Sequence, residues 1–146
     1  MRGGGEALSL AVRIARAASG RSGVAFCGYH GWTDWYLAAN LADDRSLDGH
    51  LLPGLAPLGV PRELAGTAIP FRYNNPDSFR QAVARLGNNL AAVVMEPMRS
   101  EAPRDGFLQA IAATQSRHQF GQFEGEQRRS QAVHTQGHSG LANRLQ

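Results

Sequence analysis

The residues that could do chemistry are concentrated near the start of the chain. Gly3-Gly4-Gly5 runs straight into Glu6-Ala7 and an alanine-rich stretch. Glycines feeding a helix leave the first-turn backbone N–H groups free and pointing outward, and the helix dipole favours negative charge beside them, which makes a place for a phosphate. About twenty residues later Tyr29 and His30 stand between Gly28 and Gly31, just after a short apolar run. A flat ring at the C-terminal end of a strand, beside a phosphate seat, suits a flat phosphorylated ligand. Farther on, Glu96 closes another apolar run ahead of Pro97. Each feature also has a plain reading. A glycine-rich helix start serves ordinary capping, Tyr29 and His30 read equally as loop residues with satisfied hydrogen bonds, and Glu96 as a strand-end carboxylate facing water. His30, Asp34 and His50 have the chemistry of metal ligands but fit no compact metal spacing, so no metal site is assigned.

The elements that must position these residues follow from periodicity. Leu8, Ala11, Val12, Ala15 and Ala18 recur at helical spacing, which predicts a helix over 6–18 with Gly20 as its C-cap. Residues 23–27 form a short apolar run and read as a buried strand, with Cys27 a small core residue. A short helix is expected over 32–42, with Trp35, Ala38, Ala39 and Ala42 on one side and Trp32, Trp35 and Tyr36 read as packing. Residues 43–66, rich in Gly, Pro and Asp, read as a long irregular loop, of the sort that often carries function. A second strand is expected over 67–73. Asn75-Pro76-Asp77 is a helix start: an N-cap, a first-turn proline and an acid against the dipole. Phe79, Val83 and Leu86 mark that helix's buried stripe, and Gly87-Asn88-Asn89 ends it. Residues 90–95 read as a third buried strand, and a further helix begins over 106–112. Strands alternating with helices predict α/β architecture with a mostly parallel sheet.

Composition narrows the function classes. The chain has 146 residues and a net charge of +3, and all 15 of its basic residues are arginine; there is no lysine. The arginines are scattered, as on a solvated surface and not as a nucleic-acid patch. The single cysteine, Cys27, excludes an intrachain disulfide and fits a reducing, cytoplasmic compartment. No stretch approaches the ~20 apolar residues of a membrane span, and the first residues carry no apolar signal core. After about Ala113 the apolar periodicity ends. Seven of the nine glutamines lie beyond Thr114, among Arg128, Arg129, His118, His134 and His138. The expected organisation is therefore a domain over 1–112 and an unrelated or disordered tail over 113–146.

Read together, the motifs resemble the class III aminotransferases that use pyridoxal 5'-phosphate (PLP). Gly4-Gly5-Glu6-Ala7, then Arg13-Ile14-Ala15-Arg16 through Ser19-Gly20-Arg21, then Gly28-Tyr29-His30-Gly31 follow the family wording S-G-x-E-A, R-x-A-R-x-x-T-G-R and Y-H-G. Leu58-Gly59-Val60-Pro61 and Pro70-Phe71-Arg72-Tyr73-Asn74 are similar to the glutamate-1-semialdehyde aminomutase branch. Glu96-Pro97 and Asp105-Gly106-Phe107-Leu108 match the family's E-P strand end and its G-F-L stretch. The resemblance covers roughly residues 3–112, a middle slice of a longer family pattern. It implies an incomplete fold type I large domain, a parallel sheet with flanking helices, followed by the unrelated tail, which would fit a frameshifted or truncated reading frame.

The resemblance also implies roles. Gly4 and Gly5 would offer N–H groups to the cofactor's phosphate, Tyr29 would stack on its ring with His30 close by, and Glu96 would lie near it. Gly3 stands where the family usually has Ser, so one hydroxyl near the phosphate is missing. Two further parts of family catalysis have no counterpart here: the aspartate that keeps the pyridine nitrogen protonated, and the Schiff-base lysine. No catalytic residue is therefore assigned. The expected function is a fragment of an amino-group-transferring enzyme, inactive as given, which holds PLP non-covalently at best. The alternative is a non-catalytic remnant that binds a phosphate ligand or a partner. The family's reactants are small amino donors and acceptors, not nucleic acid or membrane, and its complete members are homodimers.

Overall fold

The computed structural model describes residues 3–42, 45–47, 54–97 and 101–117. Its elements run α1 (Gly4–Ser19), β1 (Gly23–Cys27), α2 (Asp34–Leu37), β2 (Ala68–Pro70), α3 (Pro76–Leu86), β3 (Leu90–Met95) and α4 (Phe107–Arg117). Single 3-10 turns extend α2 over Ala38–Leu41, precede β2 at Arg62–Leu64 and follow α3 at Gly87–Asn89. The three strands form one parallel sheet in the order β2-β1-β3. Val24 lies opposite Ala68 on one side and Ala92 on the other, and Cys27 lies opposite Met95.

The central strand β1 is buried along its whole length, as expected of a parallel strand covered on both faces. Its alternation sorts two cores. Val24 and Phe26 face one layer with Val12 of α1, Trp35, Tyr36, Leu37 and Val94. Ala25 and Cys27 face the other, with Phe71, Phe79, Ala82 and Leu86 of α3 and Phe107 and Ile111 of α4. The apolar residues of α1 and α3 therefore recur every third or fourth position because each helix seals one face of the sheet, α3 chiefly over β1 and α1 chiefly over β3.

The lower end of the sheet is fastened to the end of α1. Gly20 closes that helix in the left-handed conformation, φ 65°, its N–H donating to the Arg16 carbonyl. The Arg16 guanidinium donates to the Ser22 carbonyl at 2.9 Å and to Thr67 Oγ1 at 3.5 Å. Partial burial lowers its pKa from the ordinary arginine value. Arg21 donates to the Leu90 carbonyl at 3.3 Å, and Ser22 N–H to Asn89 Oδ1 at 2.9 Å. The starts of all three strands are thus tied to one helix terminus. A side chain at Gly23 could not be accommodated there, since its Cβ would lie 2.7 Å from the Asn89 carbonyl oxygen.

The expected start of α3 is as read: Asn75 Oδ1 accepts from Ser78 N–H at 2.9 Å, with Pro76 in the first turn. Other elements differ. The helix expected over 32–42 shrinks to α2 and a 3-10 turn, and Ala42 is exposed. Trp32 is 67% exposed and not packed, because it precedes the extended N-cap Thr33 (ψ 148°) and so lies outside the helix that buries Trp35 and Tyr36. β2 is shorter than 67–73. Its pairing with β1 ends with Phe71, whose N–H donates to the Phe26 carbonyl at 2.8 Å, while Pro70 directs its nitrogen to the open edge, and Asn74 then turns the chain at φ 53°. Of the loop expected over 43–66, 43–44 and 48–53 lie outside the described residues; 45–47 and 54–66 are irregular apart from one 3-10 turn, yet Leu47, Leu55 and Val60 are buried. The Asn40 amide fixes it, donating to the Leu55 carbonyl at 2.7 Å and accepting from Leu47 N–H at 3.0 Å. Helix α4 runs through the boundary drawn at 112 and on to Arg117. The rest of the expected tail, 118–146, lies outside the described residues. Among the described residues no helix is long and apolar enough to cross a membrane.

Candidate functional site

The register of the sheet brings two of the singled-out regions together. Cys27 pairs with Met95, so the next residues, Gly28 and Glu96, leave the sheet side by side at its C-terminal end. A Cβ built on Gly28 would lie 3.6 Å from both Cδ and Oε1 of Glu96. The glutamate side chain therefore lies over the glycine and the turn it opens.

That turn runs from Gly28 to Gly31, with φ 99° and 86° at its two glycines. His30 points inward and is buried, 6% exposed. Its Nε2 lies 2.9 Å from the Cys27 carbonyl, and a carbonyl only accepts, so Nε2 carries the proton. The imidazole lies 5.7 Å from the Trp35 ring at 31° and meets Phe26 and Tyr36 edge-on. Tyr29 is half-buried, its ring 5.9 Å from Tyr36 and nearly perpendicular to it. Tyr29 and His30 are thus neighbours with opposite exposures: the imidazole goes into the aromatic cluster, while the phenol keeps part of its surface at the sheet end.

The third piece is the start of α1. Gly3 is its N-cap, extended and without a side-chain cap, and Glu6 lies in its first turn. Side-chain atoms added at Gly3 or Gly4 would meet nothing within 4 Å. At Gly5 a Cβ would come 3.9 Å from the His30 carbonyl oxygen and 4.0 Å from Thr33 Cγ2. The first turn of α1 accordingly lies, at Gly5, beside the turn that carries Tyr29 and His30. The structure brings Gly4, Gly5, Tyr29 and His30 into one region and sets Glu96 across the same turn at Gly28.

Two polar groups there were not singled out in the sequence. Thr33 Oγ1 and Trp35 Nε1 are buried and have no hydrogen-bond partner among the described residues. No signal in the sequence marks them as donors, and Trp35 suited a packing stripe. Asp34 is exposed, and His50 lies outside the described residues. Among the described residues no group of three His, Cys, Asp or Glu side chains is arranged to hold a metal.

The neighbouring wall is braced by the turn after β2. Tyr73 Oη donates to the Pro97 carbonyl at 3.2 Å. Asn74 donates to the Ala102 carbonyl at 2.9 Å and accepts from Arg104 N–H at 3.0 Å. Glu96 is therefore followed directly by a residue anchored to the turn after β2.

No model of a known protein family matches the chain. Individual relatives do. A glutamate-1-semialdehyde 2,1-aminomutase of Thermoplasma acidophilum is 37% identical over 115 residues, covering 74% of this chain and 26% of the relative. Those of Natronomonas pharaonis and Syntrophobacter fumaroxidans are 33% and 34% identical, covering 74% and 79% of this chain and 24% and 27% of theirs. The chain thus spans about a quarter of the length of the curated relatives it matches. Among solved structures, an omega-transaminase from Sphaerobacter thermophilus superposes with a TM-score of 0.62 at 22% identity, over 81% of this chain and 28% of that one. A glutamate-1-semialdehyde aminomutase from Pseudomonas aeruginosa does so with 0.56 at 24%, over 79% and 25%. The parallel sheet, the order of the motifs and these relatives agree: the chain is a partial member of the class III PLP-dependent aminotransferase family, on its glutamate-1-semialdehyde aminomutase side.

Proposed function

We propose that this chain is the cofactor-seating part of a glutamate-1-semialdehyde aminomutase-like enzyme, that it binds PLP non-covalently, and that by itself it transfers no amino group. The observation that carries the reading is the meeting of the open α1 N-terminus with the Tyr29–His30 turn, with Glu96 across it. The residues fit the cofactor's two ends. Gly4 and Gly5 carry no side chain to cover the backbone amides at the start of α1, which suits a phosphate, and Trp35 Nε1 and Thr33 Oγ1 are donors in want of an acceptor. Tyr29 offers a half-buried aromatic face for the ring, and Glu96 a carboxylate beside it.

When bound, PLP supplies an electron sink for amino-acid chemistry. This chain's own residues would bind and orient it and keep water from one side. With no lysine, the chain has no ε-amine to join the cofactor's aldehyde or to carry a proton afterwards. The same absence favours the second reading, a remnant that binds a phosphate ligand without any catalytic role. On either reading the ligands are small molecules, not nucleic acid or lipid. The family pattern extends over residues 1–112, with α4 continuing to Arg117, and the proposed site of action is the cytoplasm, as for a homodimeric enzyme of this family.

A PLP titration followed by absorbance, then borohydride reduction and mass spectrometry, tests this. A saturable spectral change without a pyridoxyl adduct, lost in Tyr29→Ala, is the expected result. Absence of any saturable change overturns the cofactor reading, and a stable side-chain adduct overturns the non-covalent one.

A further inference from the structure

We propose that His30 is a positioning residue: its imidazole fixes the turn after β1 so that the α1 N-terminus and the Tyr29 ring face one and the same ligand. The inference rests on the cofactor reading above and adds to it a division of labour between two adjacent residues.

The turn has two weak points. Gly28 and Gly31 both sit at positive φ, 99° and 86°, where glycine moves freely and other residues do not. Backbone preference therefore does not set the path of the residues between them. The side chain of His30 does. From inside the turn it reaches back three residues to the last carbonyl of β1, at 2.9 Å, and so ties the middle of the turn to the end of the strand. The ring is wedged against Trp35 and flanked by Phe26 and Tyr36. With 6% exposure it presents almost no surface to a ligand.

His30 also joins both halves of the site. Its carbonyl oxygen lies 3.9 Å from where a Cβ on Gly5 would be, at the mouth of α1. Its neighbour Tyr29 leans on Tyr36, which the imidazole also touches. Rotation of this one residue moves the phosphate seat and the aromatic platform relative to each other. A brace of this kind affects a ligand that spans both seats and leaves a ligand confined to one seat alone.

The test uses three probes on the full chain: PLP, which spans both seats, and inorganic phosphate and unphosphorylated pyridoxal, which each occupy one. In His30→Phe, which keeps a ring and removes the donor, PLP affinity should fall about tenfold, as for loss of one buried hydrogen bond. Phosphate and pyridoxal affinities should stay within about twofold. His30→Gln, which restores a donor, should regain most of the PLP affinity. An equal fall for a single-seat probe would mean direct contact and would overturn the proposal. A cofactor-free readout separates this claim from the cofactor reading. The Tyr29 ring resonance in tyrosine-labelled protein should broaden or shift in His30→Phe and return in His30→Gln. An unchanged resonance refutes the brace whether or not PLP binds. Should His30→Phe fail to fold, His30→Gln decides: PLP affinity and the Tyr29 signal kept supports the donor brace, and loss of both refutes it.

Discussion

The side chain of Glu96 lies over Gly28, its Cδ and Oε1 at 3.6 Å from where a Cβ on the glycine would be. That is an ordinary contact distance, so the constraint on this position is its backbone, at φ 99°. Gly28→Ala should therefore cost about 1–2 kcal/mol of stability from the backbone alone. Urea unfolding measures it.

At the opposite end of the same strand the constraint is steric. Gly23 has the Asn89 carbonyl 2.7 Å and Leu86 Cδ2 2.9 Å from its Cβ position. Gly23→Ala should destabilise by about 1–3 kcal/mol, the range for overpacking a closed site. The substitution lies far along β1 from Gly28, so PLP affinity of the folded fraction should be unchanged.

Asn74 is a joint with two functions that can be separated. It holds φ 53°, and its amide spans Ala102 and Arg104. Asn74→Gly keeps the backbone and loses the bonds, which should cost about 1 kcal/mol. Asn74→Ala loses both and should cost more, by roughly another 1 kcal/mol. Equal thermal shifts for the two variants would show that the backbone conformation contributes nothing.

The outer side of α1 carries Leu10 and Ile14, 43% and 58% exposed and one helical turn apart. Exposed apolar neighbours of this kind favour self-association. Leu10→Gln with Ile14→Gln should lower light scattering at high protein concentration and change the unfolding midpoint little, since neither side chain fills the core. A large loss of stability would mean that the pair is buried in solution.

How much of this was readable in advance depended on whether a residue's surroundings were local. The bounds of β1 and β3 were legible to the residue, because each is an unbroken apolar run bounded by polar or glycine positions, but β3 is an outer strand, buried only at Leu90 and Val94 and not throughout as expected. The start of α3 was legible because capping is settled within four residues. β2 was not, since its end is set by the turn at Asn74. Leu47, Leu55 and Val60 showed no periodicity, because they belong to no regular element; the Asn40 amide, for one, holds Leu47 and Leu55 by their backbone. At the site, Gly4, Gly5, Tyr29 and Glu96 could be picked out by type and order. Their juxtaposition depended on the Cys27–Met95 register, which only the sheet supplies. The inward turn of His30 and the burial of Trp35 Nε1 and Thr33 Oγ1 depend on packing and had no linear signature.

The strand order has a consequence for how the chain acquires its structure. β1 is made first and lies in the middle, yet Val24 finds its partners only at Ala68 and Ala92. Until Met95 has emerged, the most buried strand lacks one neighbour or both. Contacts so distant in sequence form slowly, since long loops must close before any pairing rewards them. A nascent chain of this order carries β1 unpaired until β2 has emerged and half-paired until β3 has, and any polypeptide ending short of β3 keeps that strand open permanently.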